Sequence, residues 1–280
     1  MTVLQTQIGP ATVLHRLAVA VEARDVLSNR PADSLVTARF RRLPTPTNPT
    51  PVWQPMTRRG TARFTLRHRL TATTPLPDLQ IVVEDPSRRY VARRFTITPW
   101  QLADVAEPAP YVEPFARLLR VWLLPGTAYP LPRTATVIRG RVIQNGRPKR
   151  WARVQGTTPT SDAGWAHTDE RGEFVLPIID AGADLTRVPT DQITVSLRVI
   201  GTPTIADPLP PPTDRTLDLV SEVVARSSNP ATATELDNDV LRGIAVPAGY
   251  KENAAPVPPE TIPVGAETYL TQAVVFVPQP

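Results

Sequence analysis

Alternation of apolar and polar residues predicts β-strands along most of the chain. Within residues 61–70, Phe64 and Leu66 fall on one side of the alternation and Arg63 and Arg67 on the other. Successive side chains of a strand point to opposite faces of a sheet, so this segment predicts a half-buried strand. The same period of two predicts the other members of a first group of strands: Leu17–Val21, Leu35–Phe40, Leu79–Val83 and Arg94–Ile97.

A second group of alternating segments follows after a proline-rich stretch. Its predicted strands are Ala135–Val142, Ala152–Gln155, Glu173–Leu176 and Ile193–Ile200. An apolar run at Leu118–Leu124 predicts a buried strand between the two groups, and Tyr269–Val277 predicts one near the end of the chain. The pattern at Thr213–Arg226 fits either a helix or a strand.

Composition supports an all-β interpretation. Proline accounts for 34 of the 280 residues, more than twice the usual share of about 5%. Each interior proline removes a helical hydrogen bond and clashes with the preceding turn, which excludes a mostly helical chain. We therefore predict four parts: a basic N-terminal β-sandwich (1–98), a proline-rich linker and strand (99–134), a second β-sandwich (135–201) and a proline-rich acidic extension (202–280).

One stretch of the second group carries a specific motif. Gly140 and Val142 in a strand are followed by the turn residues Asn145 to Pro148, and Thr168 to Leu176 then read Thr-Asp-Glu-Arg-Gly-Glu-Phe-Val-Leu. This pattern resembles the carboxypeptidase regulatory-like domain, a transthyretin-like β-sandwich, over residues of about 136–201. The resemblance implies a sandwich fold and an accessory role, because in zinc peptidases this module accompanies a separate catalytic domain.

The first group of strands repeats features of the second. Asn29-Arg30-Pro31 parallels the turn at Asn145, and Arg59-Gly60 followed by Phe64 parallels Arg171-Gly172 followed by Phe174. We therefore expect residues 10–98 to form a diverged copy of the same sandwich. The predicted fold class is all-β, with tandem transthyretin-like or immunoglobulin-like sandwiches and extended proline-rich arms.

Charge is distributed unevenly along the chain. Residues 1–100 carry a net charge of +9, residues 101–200 of +2 and residues 201–280 of −6, within an overall charge of +5. This polarity predicts that the C-terminal arm, including Tyr269–Val277, packs on a neighbouring subunit or partner protein, with strand addition to an exposed sheet edge as the mode. Because the sandwich cores are expected to carry the stability, we also expect that deleting residues 203–280 leaves a folded remainder.

Residues with catalytic or metal-binding potential do not form a known site pattern. The three histidines, His15, His68 and His167, lack metal-ligand spacing. The sequence Asp237-Asn238-Asp239 lacks the glycine and distal glutamate of a calcium loop. No nucleophile elbow or phosphate-binding glycine loop occurs. We therefore expect no enzymatic activity, no metal and no cofactor.

Two further classes of partner are disfavoured by the sequence. The arginine-rich first hundred residues lack a nucleic-acid reader motif and have few aromatic stacking residues, so we expect no nucleic-acid partner. No run of about 18 apolar residues and no basic, apolar leader occurs, so we expect neither a membrane span nor a signal peptide. We expect synthesis in the cytoplasm, with later release as part of a particle.

The function predicted from these observations is a non-enzymatic structural or adaptor subunit of a larger protein assembly. A phage-tail-like or contractile-injection-type particle is the candidate assembly. Four aromatic residues are candidate contacts with partner proteins: Trp53, Trp100, Tyr269 and Phe276. The alternative is a binding or adhesion module that recognises a glycan or cell-surface ligand through its sandwich loops.

Overall fold

The predicted all-β fold is confirmed by a computed structural model, in which the described residues form four β-sheets. The structure describes residues 17–32, 35–68, 76–105, 112–159, 161–179, 191–204 and 215–280. None of the helices in these ranges has the length and apolar character needed to cross a membrane. His15, the first two residues of Thr213–Arg226 and part of the predicted proline-rich extension (205–214) lie outside the described ranges.

The first sandwich is built from eight strands of the amino-terminal half. They are β1 (Leu17–Asp25), β2 (Thr37–Arg42), β3 (Gln54–Pro55), β4 (Thr57–Arg58), β5 (Arg63–Arg67), β6 (Leu79–Glu84), β7 (Arg93–Ile97) and β8 (Leu118–Leu123). One sheet has the order β4-β5-β1-β8, and the other contains β3, β2, β6 and β7 in that order. Their inner faces share one core, in which Val21 and Phe64 of the first sheet pack with Ile81 and Phe95 of the second.

The second sandwich begins with six strands. They are β9 (Val137–Gln144), β10 (Arg147–Pro148), β11 (Arg153–Thr157), β12 (Asp162–His167), β13 (Glu173–Pro177) and β14 (Gln192–Gly201). Strands β10, β9 and β13 form one sheet, and β12, β11 and β14 form the other. Asn145, between β9 and β10, has a φ of 52°, a backbone angle that asparagine tolerates better than most residues and that a tight hairpin turn requires.

Residues after 215 add short elements to both sandwiches. They are β15 (Ser221–Val223), helix α1 (Asp239–Arg242), β16 (Lys251–Glu252), β17 (Glu260–Pro263), β18 (Glu267–Tyr269) and β19 (Val274–Val275). Short 3-10 helices lie at Ala103–Val105, Pro114–Arg117 and Pro230–Thr232. Strand β15 pairs in parallel with β7 of the first sandwich. Strands β16 and β17 pair with β14, and β18 and β19 pair with β9, all in the second sandwich.

Most strands of the two sandwiches correspond in their order and in their directions. In the first sandwich, β1 lies between antiparallel β5 and parallel β8. In the second, β9 lies between antiparallel β13 and the parallel pair β18 and β19. The opposite sheets correspond equally, with β3-β2-β6-β7 matching β12-β11-β14 and then β16 with β17. The similarity seen between the two sequence groups therefore extends to these strands, whereas β4 and β15 have no counterpart among the described residues of the second sandwich.

This arrangement corrects the predicted division of the chain. Strand β8, assigned to the separate linker and strand at 99–134, is an edge strand of the first sandwich, with Leu119 and Val121 fully buried in its core. Residues 251–280, assigned to a separate extension, supply two strand positions of the second sandwich. Residues 215–250, which lie between β14 and β16 in the sequence, form what we call the insertion: its strand β15 pairs with β7 of the first sandwich, and the chain then returns to the second sandwich at β16. These predicted boundaries were wrong because a segment distant in sequence can pair with the edge strand of a sheet. Short strands that contain proline can do so, because proline is tolerated in edge strands.

The predicted strand Tyr269–Val277 is interrupted after Tyr269. A methyl group on Gly140 would lie 2.8 Å from Leu270 Cδ1 and 2.7 Å from Phe174 Cζ. The absence of a side chain at Gly140 therefore leaves room for both residues. Leu270 packs against the core of the second sandwich from this position, and the chain resumes pairing with β9 only at Val274.

Candidate functional site

A buried ion-pair cluster joins the two sandwiches through the insertion. The Glu222 carboxylate of β15 accepts hydrogen bonds from Arg93 of the first sandwich, at 3.1 Å from Nε and 2.7 Å from Nη2. The same carboxylate lies 2.9 Å from Arg153 Nη2 of the second sandwich. The side chains of Arg93, Arg153 and Glu222 are no more than 5% exposed. We call Arg93, Arg153, His167 and Glu222 the Glu222 clasp.

The remaining bonds of Arg93 attach helix α1 to the same cluster. Arg93 Nη1 donates to the carbonyl oxygens of Trp122, at 2.9 Å, and of Leu241, at 2.7 Å. Its Nη2 also contacts the Val240 carbonyl oxygen. Buried charges are costly unless they are paired and hydrogen-bonded. Arg93 meets this requirement only when β15, β8 and α1 are all in place.

His167 completes the clasp from the second sandwich. Its Nε2 lies 2.8 Å from the Gly243 carbonyl oxygen, and its ring contacts the Arg153 guanidinium. Burial, followed by the charges of Arg153 and Arg93, holds the pKa of His167 well below its ordinary value. The imidazole is therefore neutral at physiological pH, and we assign the proton to Nε2 because the Gly243 oxygen can only accept.

A second set of contacts lies beside the clasp. Asp218 accepts a hydrogen bond from Trp151 Nε1 at 2.9 Å and pairs with Arg150 at 2.7 Å. The Tyr250 hydroxyl donates to the Trp151 carbonyl oxygen at 2.8 Å. Both ends of the insertion are thus attached to the same short segment of the second sandwich, at residues 150 and 151.

Acidic residues near the carboxyl end of the chain form ion pairs with arginines of the same chain. Acidic residues after position 215 pair with arginines of both sandwiches: Asp218 with Arg150, Glu222 with Arg93 and Arg153, Glu235 with Arg120, Glu252 with Arg198, and Glu267 with Arg139. The expectation that this arm packs on a neighbouring subunit is therefore wrong for its paired strands, because β16 to β19 pair with strands of their own sandwich.

The four predicted contact residues lie in different environments. Trp100 is 3% exposed and stacks against Arg226, whose guanidinium carbon lies 3.7 Å from the ring centroid. Phe276 is 1% exposed and belongs to the core of the second sandwich. These two are not available as exposed anchors. The sequence suggested exposure of Trp100 because Pro99 precedes it in a loop, but the structure places its ring in a small core cluster with Val105 and Val112.

The other two predicted contact residues reach the surface. Trp53 is half-buried on the outer face of the β3-β2-β6-β7 sheet, with the guanidinium carbon of Arg41 4.5 Å from its ring centroid. Arg39 and Arg94 lie over the same ring at 5.7 and 5.5 Å. Tyr269 is 67% exposed. Tyr269 is therefore the predicted contact residue most accessible to a partner.

A cleft with a volume of about 150 Å³ lies next to the second set of contacts and is lined by Lys149, Trp151, Thr202, Asp218 and Tyr250 among others. Burial lowers the pKa of Lys149 to about 8. Its ammonium group donates to Thr202 Oγ1 at 2.9 Å and to the Thr204 carbonyl oxygen at 3.1 Å, and it also contacts the Thr202 carbonyl oxygen. Since these acceptors use its three donors, Lys149 holds the segment that follows β14 rather than presenting a reactive amine to the cleft.

The carboxylates flagged in the sequence have structural partners. Asn238 caps α1 by accepting from Leu241 N–H at 3.0 Å, and Asp237 pairs with Arg242 at 2.8 Å. Asp169 accepts from the N–H groups of Arg171, at 2.8 Å, and Glu173, at 3.0 Å. Within the described ranges, no group of three or more potential ligand residues is placed to hold a metal ion.

Sequence reasoning missed the Glu222 clasp. Glu222 is a single acid within the apolar run from Leu219 to Val224, and acidic residues are almost never fully buried unless they are paired. That isolated charge is a usable signal of a buried ion pair. Nothing in the sequence identifies its partners, because Arg93 and Arg153 are two among many arginines.

Comparison with known proteins adds little to this description. No protein-family model matches the sequence. No curated protein matches it. Among solved structures, the Bacillus anthracis TIE protein is similar at 12% sequence identity and a TM-score of 0.20, over 94% of this chain and 51% of that chain. This chain therefore spans about half the length of that protein, and a TM-score so low carries no argument about fold or function.

Proposed function

We propose that this chain is a non-enzymatic structural or adaptor subunit of a larger protein assembly. The observation that carries the proposal is the Glu222 clasp, which ties one arginine from each sandwich to a strand of the insertion. Domains within one chain usually move relative to each other unless their interface is extensive. Here the insertion enters the first sandwich, returns to the second and is bonded in both. A subunit that positions other proteins needs such a fixed geometry.

The use of the carboxylates also supports a structural role. Asp25 accepts from Leu27 N–H at 2.8 Å and from the Tyr129 hydroxyl at 2.7 Å. Asp85 accepts from Ser87 N–H and Arg89 N–H, each at 2.9 Å. Carboxylates bound in this way stabilise turns and have fewer lone pairs available for proton transfer.

The position of the exposed aromatic residues favours assembly over ligand binding. An adhesion module that recognises a glycan through its loops is expected to display several aromatic rings on one loop edge. Among the described residues, Phe115 and Tyr269 are the aromatic residues with large exposed fractions, at 48% and 67%, and they belong to different sandwiches. A phage-tail-like or contractile-injection-type particle is the assembly that we propose to examine first.

The mass of the native complex tests this proposal. The tagged chain is produced in its native cell, purified without crosslinking and weighed by native mass spectrometry. We expect a multi-subunit mass well above the 30.7 kDa of one chain. Recovery of the chain only as a free 30.7 kDa species would exclude the assembly function, and binding of that species to a glycan array would support the adhesion alternative.

A further inference from the structure

The two sandwiches differ in how the outer edge of their equivalent parallel strand is covered. In the first sandwich, β8 pairs with β1 on one side, and Leu119 forms a parallel bridge to Leu236 on the other. Leu236 is 9% exposed, and the neighbouring Glu235 pairs with Arg120 of β8. A short segment of the insertion therefore adds to this edge like an extra strand.

The equivalent edge of the second sandwich has no such cover among the described residues. Leu270 donates its N–H to the Arg139 carbonyl oxygen at 2.9 Å. Because alternate residues of a strand direct their backbone groups to opposite sides, Tyr269 directs its N–H and carbonyl away from β9. The side chains of Tyr269, Val275 and Val277 are 67%, 56% and 51% exposed on the outer face.

The open part of this edge is confined to β18. Further along, Asn253 Oδ1 accepts from Val277 N–H at 2.7 Å, and Asn253 Nδ2 donates to the Val275 carbonyl oxygen at 3.2 Å. The side chain of Asn253 thus occupies the outer edge of β19. We call residues Glu267–Leu270 of the second sandwich the open edge.

Charge at the open edge indicates the chemistry of its partner. The outward positions of the adjacent strand β9 carry Arg139 and Arg141. Glu267 compensates Arg139, and Arg141 is exposed and donates to the Arg171 carbonyl oxygen at 3.3 Å. The residual positive charge complements an acidic segment, as Arg120 complements Glu235 in the first sandwich.

We propose that the open edge binds an extended segment of a different protein, in which an apolar residue adjoins an acidic one, by strand addition beside Tyr269. The corresponding segment of this chain, Glu235–Leu236, already occupies β8, so a second copy has none to offer. The inference rests on the proposed assembly function and names how one partner is bound. Main-chain hydrogen bonds supply affinity in this mode, and the side chains on either side supply specificity.

Site-specific photocrosslinking in the native cell tests the proposal. p-Benzoylphenylalanine replaces Tyr269 in the full chain, and a matched control carries it at Val52, which is 78% exposed on the first sandwich. We expect a crosslink from position 269 that exceeds the control and maps, by mass spectrometry, to a partner peptide containing adjacent apolar and acidic residues. A crosslink to a second copy of this chain, or a yield equal to that of the control, overturns the proposal.

Two substitutions separate backbone pairing from side-chain contact, with the photocrosslinker moved to the neighbouring position Thr271. Tyr269→Ser removes the ring and keeps the N–H, whereas Tyr269→Pro also removes the outward N–H, a change that edge strands tolerate. We expect Tyr269→Pro to weaken capture roughly tenfold more than Tyr269→Ser, since one unmade hydrogen bond costs on the order of one decade of binding. Equal capture by the two variants contradicts strand addition.

The outcome distinguishes this inference from the proposed function. A multi-subunit mass together with no specific crosslink at position 269 refutes the open edge and leaves the assembly function intact. A chain found only as a free monomer refutes both.

Discussion

The Glu222 carboxylate lies 2.9 Å from the Arg153 guanidinium, and the two residues come from strands that belong to different sandwiches. Glu222 is only 5% exposed. Burial alone would raise the pKa of Glu222, but the charges of Arg93 and Arg153 and their hydrogen bonds lower it below its ordinary value. The carboxylate therefore stays ionised inside the protein and links three segments of the chain.

Removing this carboxylate should destabilise the whole chain. We expect Glu222→Gln to lower the free energy of unfolding by about 3–5 kcal/mol, because it leaves two buried guanidinium groups without a counter-charge. The measurement is urea unfolding followed by tryptophan fluorescence. The matched control is Glu252→Gln, which breaks the exposed pair with Arg198 and should cost less than about 1 kcal/mol. If the two substitutions lowered the free energy of unfolding equally, the Glu222 clasp would stabilise the fold no more than an exposed ion pair does.

His167 should make the protein less stable in mild acid. The folded protein holds the pKa of His167 well below its ordinary value, so the unfolded chain binds more protons below a pH of about 6.5. The free energy of unfolding should therefore be highest above pH 6.5 and fall as the pH is lowered from 6.5 to 5. Urea titrations at pH 5, 6, 7 and 8 measure this dependence.

His167→Gln should flatten that pH dependence, because the glutamine amide can still donate to Gly243 but does not titrate. Burial also lowers the pKa of His68, so part of the slope should remain in the His167→Gln variant and be reduced further by an added His68→Gln. An unchanged slope in His167→Gln would contradict the assignment of a neutral, buried His167.

Phe174 and Phe64 occupy equivalent positions in the two cores. Phe174 pairs with Gly140 on β9, and Phe64 pairs with Val21 on β1, and each phenylalanine is 2% exposed. We expect Phe174→Ala and Phe64→Ala each to cost about 3–5 kcal/mol in the free energy of unfolding. Val275→Ala, at a site that is 56% exposed, is the surface control and should change stability by less than about 0.5 kcal/mol.

Deleting residues 203–280 should unfold the protein, contrary to the expectation from sequence. The deletion removes Glu222 from the clasp and removes Ile262, Val274 and Phe276 from the core of the second sandwich. We expect the truncated chain to lose its near-UV circular dichroism signal, which reports the packing of aromatic side chains, and to aggregate. Co-expression of residues 203–280 as a separate fragment should restore a folded complex, because the fragment carries the missing strands. A truncated chain that is folded and monomeric by itself would refute this account.

Local features of the fold could be predicted from the sequence because their causes are local. The alternation around Phe64 placed Arg63 and Arg67 on the exposed side, where the structure has them. The turn at Asn145-Gly146 has the positive φ angles, 52° and 73°, that this residue pair favours. Both features depend on a few neighbouring residues only.

The insertion and the site could not be predicted because they depend on distant pairings. Parallel strands such as β8 and β15 need long connections, and hydrophobic periodicity does not say which strand they join. The burial of Arg93 depends on Glu222, Leu241 and Trp122, which come from three separate parts of the chain. A sequence pattern records that an arginine is present but not that three distant segments enclose it.

The insertion also sets the order in which the protein can be completed during synthesis. The ribosome makes a chain from its amino end, and domains of many proteins fold one after another as they emerge. Here the first sandwich lacks β15 until residue 223 has been made, and the second lacks β19 until residue 275 has been made. The amino-terminal sandwich therefore cannot be completed until β9 to β14 of the second sandwich have also been made, and the two sandwiches reach their final form close together in time.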